Sequence, residues 1–504
     1  MDANTERASS HKERVHQLWA TYDSLIKNGH YAPFGYPFGA LPFLMVIVYF
    51  IVPAKYTPRP VRIIWALSAQ ALCLHFILFT RARSAATSGL LGIGFMYFIQ
   101  WITANMIVFD AKTSYERIVR VEHDKQPGSS SESKGLVSYA WQPIPNIFKA
   151  RLDWIMDLLT NLDGMGWNWA ISALPAPPKR IREQLKTPGR LAYSRDILEA
   201  WKGLPPDQPE QHSKAVYRDI RWRLAIGYMA LDAAKTMGSM DPFFWGYTDH
   251  VHPPYLPSWL QYRFVVKIVR LCIAQASMHI AIRTLLTLRP LHFLSKHGQP
   301  LVGIRGEGWL FPDPFGSFQA VLDYGLPGFW SSYWHQSFRH VFTAPSRPLI
   351  AYLGLDPRSV VSKFIRMSIA FLCSGLLHAS LSVGAIGQTR PLRGPLLFFV
   401  LQPIGVALQI MFVTVLQRAS LGSWVSPRVG GFVNLAWCLV WGYLTAPLLI
   451  EDLAKGGQFL FEPVPFSIFR GLGLGNSDDG FWCWSGRWLS FRSDIEWWKY
   501  RIVS

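Results

Sequence analysis

Blocks of about 20 mostly apolar residues recur along this chain, and that is the length a helix needs to cross the hydrocarbon core of a bilayer. They lie at 38–53 (FGALPFLMVIVYFIVP), 62–80, 88–109, 222–238, 263–288, 360–387, 395–417 and 430–450. A segment in lipid must satisfy its own backbone N–H and C=O groups, so continuous apolar blocks of this length read as spanning helices. The expected fold is an all-α polytopic membrane protein of about eight transmembrane helices. Two of the blocks carry charge: Asp232 and Lys235 in 222–238, Lys267 and Arg270 in 263–288. Such groups must pair, snorkel or face the protein interior.

Composition supports the same class. Of 504 residues, 50% are hydrophobic, 14% aromatic and only 16% charged, against about a quarter charged in ordinary globular chains. Mean hydropathy is +0.15. Disorder over most of the length is excluded, because there is ample apolar surface to bury. The formal charge of +18 comes from 50 Lys+Arg against 32 Asp+Glu. This excess is spread through the loops between apolar blocks, where it suits anionic headgroups or a phosphate-bearing cosubstrate rather than nucleic acid. Basic loops fall on both sides of the path, so orientation stays open. Cys73, Cys272, Cys373, Cys438 and Cys483 are widely separated and form no CxxC pair, which reads as buried structural thiols.

The chain divides into a polar segment 1–37, a membrane-embedded region 38–450 and a Trp-rich tail 451–504. The N-terminal segment, with Glu6, Arg7, Lys12, Glu13 and Arg14, has no apolar core, so no cleavable signal peptide is expected and the first membrane helix serves for insertion. Within the central region, 110–221 is polar. Its QPGSSSESKG stretch (126–135) reads as a flexible linker, and its Pro-rich part 175–221, including LPPDQPEQ (204–211), as an exposed loop. Residues 289–345 differ in kind: Gly, Pro and aromatics with few charges suit re-entrant or interfacial helices packed in protein.

Absent motifs narrow the chemistry and disfavour a P-loop pump or an α/β-hydrolase. No Walker A loop occurs, no G-x-S-x-G, and the 14 histidines never form HxxHH clusters. His250-Val-His252 beside prolines reads as a loop pair, since a metal needs three or four ligands. No metal site is expected. His378 stands out, because it lies mid-helix in FLCSGLLHASLSVGAIG (371–387) among Ser374, Gly375, Ala379, Ser380 and Ser382. An ionisable residue inside a membrane helix on a small-residue face points to function. His75 and His279, also in apolar blocks, read as core histidines. The second element is GFWSSYWHQSFRH (328–340). If helical, it sets Trp330, Trp334 and Phe338 on one stripe, with His335 against it and Gln336 and Arg339 within a turn. An interfacial aromatic belt would look the same. A neutral imidazole is the side chain best suited to take a proton from a hydroxyl near pH 7.

FPDPFGSF (311–318), GFWSSYWHQSFRHVF (328–342) and FLCSGLLHASLS (371–382) together resemble the wax synthase-like branch of the membrane-bound O-acyltransferases. The family's FW-x-x-x-WHQ-x-x-R box reads here as Phe329, Trp330, Trp334, His335, Gln336 and Arg339, and its SG-x-x-H as Ser374, Gly375 and His378. Ser331-Ser332 stands where relatives often carry Gly-Arg. LLTNLDGMGWNWAISALP (158–175) resembles the GxGWxW stretch of fungal members, so the resemblance runs from 158 to 388. The N-terminal third resembles the family only in hydropathy.

The resemblance implies transfer of an acyl group from acyl-CoA to a hydroxyl inside a membrane-embedded chamber, with no metal and no permanently bound cofactor. His378 then stands at the general-base position and His335 where an Asn or His orients the reacting groups. Trp330, Trp334, Gln336, Arg339 and Ser374 become candidates for binding substrate or CoA, and a covalent acyl-enzyme on Ser374 is the less favoured route. Arg339, Arg347 and Lys363 suit either CoA phosphates or lipid headgroups. The fungal likeness favours acetyl-CoA as cosubstrate and a hydrophobic terpenoid or meroterpenoid alcohol as acceptor, in the endoplasmic reticulum. A wax-ester or sterol acyltransferase is the alternative enzyme, and a non-enzymatic carrier using the two histidines the alternative class. The oligomeric state is left open.

Overall fold

The computed structural model describes residues 7–82, 84–122, 137–185, 209–250, 252–294, 303–419, 426–484, 490–492 and 501–503. Helix dominates it. Six helices are long and apolar enough to cross a membrane: Arg59–Phe79, Ala85–Val108, Arg263–Phe293, Val360–Gly384, Leu392–Arg418 and Pro427–Lys455. Local sequence explains where three of them begin. Ser84, Ser359 and Ser426 each accept a hydrogen bond from the backbone N–H three residues on, which satisfies one of the free donors at a helix start. Pro427 then occupies the first helical position, where a missing N–H costs nothing. Ile64, Ile410, Phe432 and Leu439 point outward from these helices, as lipid-facing side chains do.

Six of the eight expected spans are therefore present as long apolar helices. Residues 38–53 form the shorter apolar helix Pro37–Ile51. Residues 222–238 belong to the 32-residue helix Pro209–Met240, which is not apolar enough to be counted as a span. Its charges are used internally. Asp232 is fully buried, and its Oδ2 accepts from the backbone N–H of Ile468 at 2.7 Å and of Phe469 at 3.3 Å, while Ser467 donates to Oδ1. Lys235 donates to the Phe459 carbonyl at 2.8 Å and lies 3.4 Å from Glu462, itself paired with Arg470 at 2.8 Å. Burial without such partners would be prohibitive.

One reading of the polar stretches is extended and one corrected. On either side of the QPGSSSESKG stretch, Arg117–Glu122 and Val137–Gln142 pair as antiparallel strands, with Ile118 opposite Trp141. Short two-stranded pairings also join 32–33 to 80–81 and 490–492 to 501–503. The Pro-rich loop 175–221 is partly helical, since Pro209–Met240 begins inside it. The QPGSSSESKG stretch and residues 204–208 lie outside the described residues.

Small residues let the helices around His378 approach closely. A Cβ on Gly92 would come 2.4 Å from the Ser380 carbonyl oxygen, and one on Gly375 would come 2.8 Å from Leu396 Cδ1. The helix Val360–Gly384 is thereby clasped by Ala85–Val108 on one side and Leu392–Arg418 on the other. An aromatic core of Phe50, Trp101, Trp154 and Trp167 ties these helices to the GMGWNW loop.

Candidate functional site

The helix Val360–Gly384 carries His378 four residues after Ser374. Its ring Nδ1 lies 2.8 Å from the Ser374 backbone carbonyl oxygen. A carbonyl oxygen only accepts, so Nδ1 holds the proton and Nε2 keeps the lone pair. The Ser374 partner is its carbonyl rather than its hydroxyl. Phe399 lies against the other side of the ring, centroids 4.3 Å apart. Gly375, a small residue suited either to room for a ligand or to close helix contact, serves close approach of the neighbouring helix.

The aromatic box is not one helix. Phe329–Tyr333 forms a wide turn in which Trp334 N–H reaches back five residues to the Phe329 carbonyl at 2.8 Å, and Trp334 then leaves in extended conformation. Wide turns of this kind are frequent at functional sites. A short helix, Arg339–Thr343, follows. The expected stripe is thus broken. Trp330 packs edge-on to Phe371 at 5.2 Å, whereas Phe338 meets Tyr97 at 5.0 Å. Gln336 holds the turn, its Nε2 donating to the carbonyls of Trp330 at 2.8 Å and Trp334 at 2.7 Å. Its Oε1 accepts from Arg339 at 3.2 Å, and Arg339 also reaches the Ser331 carbonyl at 3.4 Å. Gln336 and Arg339 therefore brace the backbone of the box.

His335 is turned inward, edge-on to Phe315 at 5.7 Å and Phe338 at 5.4 Å. Its Nδ1 is buried with no hydrogen-bond partner among the described residues. His378 and His279 each lie within electrostatic reach of the His335 ring. A buried donor or acceptor left unmade costs about 1–3 kcal/mol, so this nitrogen is a natural anchor for a bound molecule.

Three residues were underrated or missed in the sequence. His279, read as a core histidine, lies 3.9 Å from the Phe315 ring and 5.9 Å from that of Tyr333, on the wall of the box. Gln402, fully buried, accepts from the indole N–H groups of Trp330 at 3.3 Å and Trp441 at 3.2 Å. His340 bonds Tyr115 Oη at 2.8 Å and packs on Trp169 of the GMGWNW loop at 4.6 Å. Position within a quoted motif was a signal for His340. Gln402 had only its polarity in an apolar block. Among the basic candidates, Arg347 lies over the Phe109 ring at 4.7 Å, and Lys363 is exposed near the start of the His378 helix.

The FPDPFG segment closes the box from below. Gly316 N–H donates to the Tyr333 carbonyl at 3.0 Å, and Asp313 takes both Arg223 and Arg283. Comparison with known proteins covers the same stretch of the chain. Residues 311–401 match the Membrane bound O-acyl transferase family. The chain is 32% identical over 158 residues to Acetyltransferase spyB of Aspergillus fumigatus, covering 28% of this chain and 25% of that protein. It is 30% identical over 169 residues to Acetyltransferase ataH of Aspergillus terreus, covering 32% and 52% respectively. A longer match, 25% identical over 331 residues, joins it to O-Mevalon transferase yanI of Aspergillus niger, covering 61% of this chain and 64% of that protein. The matched stretch spans only a quarter to about half the length of the first two relatives. No solved structure matches the chain. The FPDPFG segment, the WHQ box and the His378 helix all fall inside 311–401, the stretch of this multi-pass helical bundle that is similar to the Membrane bound O-acyl transferase family.

Proposed function

We propose that this protein is an O-acetyltransferase that moves an acetyl group from acetyl-CoA to a hydroxyl of a hydrophobic natural product, a terpenoid or meroterpenoid, at the endoplasmic reticulum. The observation that carries the reading is the fixed tautomer of His378, whose Nε2 lone pair is left available by the 2.8 Å bond from Nδ1 to the Ser374 carbonyl. An uncharged alcohol is a poor nucleophile, while a thioester is already activated, so one positioned base suffices. His378 Nε2 takes the hydroxyl proton as the alcohol oxygen attacks the thioester carbonyl. The C–S bond then breaks, and the imidazolium returns the proton to the departing CoA thiolate. His335, with its unpartnered Nδ1, orients the reacting groups. Trp330 and Trp334 line the acceptor side, and Gln336 and Arg339 hold their backbone in place. The acetyl preference is supported by the relatives named acetyltransferases. A second reading, an acyl group other than acetyl, rests on the longest of the three matches, to a protein named an O-Mevalon transferase.

The test is a microsomal assay with labelled acetyl-CoA and a panel of hydroxylated terpenoids, comparing wild type with His378→Ala at matched expression. Transfer that depends on His378 supports the reading. Transfer retained in the variant overturns the base assignment, and preference for a long-chain donor moves the protein toward wax or sterol esters.

A further inference from the structure

The His250-Val-His252 loop takes no part in the site above, yet His250 lines a separate cavity of about 150 Å³ at the start of the helix Arg263–Phe293. Arg263, Lys267 and Arg270 also line it, at spacings that bring them to one helix face, with Glu451 opposite. Arg270 is already committed. Its Nε and one terminal nitrogen each donate to Asp241 at 2.7 Å, and the other donates to the His250 carbonyl at 2.7 Å. This neutral pair fixes the loop and leaves the remaining cations to act on their own.

Arg263 and Lys267 make no ion pair among the described residues, and the Lys267 ammonium lies over the Tyr443 ring at 3.9 Å. The His250 Nδ1 is buried without a hydrogen-bond partner, its nearest acid being Asp241 at 3.9 Å. Against two uncommitted cations and this imidazole stands one carboxylate, Glu451. The balance favours an anion. Trp259, Tyr262 and Phe264, beside the cavity, are all exposed. Exposed aromatics at the end of a spanning helix mark the level of the lipid headgroups, and basic pockets between helices at that level recognise phosphate. We infer that this cavity binds a phosphate group, that of an anionic membrane lipid.

The experiment uses the full chain in nanodiscs of phosphatidylcholine, with and without phosphatidic acid, and reads the thermal unfolding midpoint. A second arm titrates the detergent-solubilised protein with inorganic phosphate. Phosphatidic acid is expected to raise the midpoint, because a ligand bound only by the native state stabilises it. Arg263→Gln and Lys267→Gln should each weaken that response about fivefold, and the double variant more than tenfold. Glu451→Gln should strengthen it. All variants should melt like wild type in phosphatidylcholine alone, since none of these side chains is part of the Arg270–Asp241 pair. An unchanged response in the double variant overturns the site. Equal protection by inorganic phosphate overturns the lipid as its source and assigns a soluble phosphorylated molecule. Acetyl transfer is not read, so failure here leaves the proposed activity untouched, and the reverse.

Discussion

His378 Nδ1 and the carbonyl oxygen of Ser374 stand 2.8 Å apart, one turn along the same helix. The contact assigns the ring proton to Nδ1 and makes the side chain of Ser374 dispensable to it. His378→Ala should insert normally yet lose acyl transfer by at least about a hundredfold, the usual contribution of a general base. Ser374→Ala keeps the carbonyl and should retain near wild-type turnover, with no labelled protein trapped from acetyl-CoA. Loss of activity in Ser374→Ala together with a trapped acyl-protein in wild type would revive the covalent route.

His335 presents an unpartnered buried Nδ1 and is enclosed by Phe315, Trp334 and Phe338. An orienting role means that His335→Ala lowers kcat by at least about tenfold, as misplaced reactants do, while KM for the acceptor moves little. Steady-state kinetics separate the outcomes. A rise in KM with unchanged kcat would make His335 a lining residue only.

How much of this was open to a reader of the sequence follows from which interactions are local. His378, His335, Gln336 and Arg339 could be singled out as candidates because side-chain identity at fixed spacing survives any error in local geometry. The shape of the box did not, since Trp330, Trp334 and Phe338 fit a helical period just as well as the wide turn that separates them. Hydropathy located the six long apolar helices but also counted 222–238 as a span, and it could not name the partners of Asp232 and Lys235, because Ser467, Ile468 and Phe459 lie more than 200 residues away. His279 was set aside for the same reason. Its aromatic neighbours Phe315, Tyr333 and Trp334 arrive from a different segment, and nothing in the helix around it signals them.

Gln336 donates to two carbonyls that bound the wide turn, those of Trp330 and Trp334. Gln336→Glu keeps the shape and replaces both donors with acceptors. The variant should lose about 1–3 kcal/mol, the cost of leaving buried polar groups unmet, seen as a lowered unfolding midpoint, and turnover should fall with it. Unchanged stability would mean that the turn is held by its own Trp334–Phe329 bond.

Arg270 meets Asp241 through two bonds of 2.7 Å, and Asp241 is fully buried. Arg270→Met strands that carboxylate, which costs about 3–5 kcal/mol when one partner of a buried pair is removed. Low yield of folded protein is expected. Adding Asp241→Asn should recover part of the loss, and a double variant no better than the single would show that Arg270 acts through packing on Phe243 instead.

Gly316 sits where the FPDPFG segment crosses the box, and a Cβ there would lie 2.1 Å from the Ser332 carbonyl oxygen. The obstacle is backbone, so no rotamer change relieves it. Gly316→Ala must push apart the segments that place Phe315 3.9 Å from His279. Overpacking of this kind costs about 1–3 kcal/mol. Gly94→Ala is the matched control, because nothing lies within 4 Å of its added carbon. In that helix position alanine should be neutral or stabilising by up to about 1 kcal/mol. Thermal unfolding of the two variants side by side decides the matter: a Gly316→Ala protein as stable and active as Gly94→Ala would show that the box tolerates a wider gap than its backbone contacts allow.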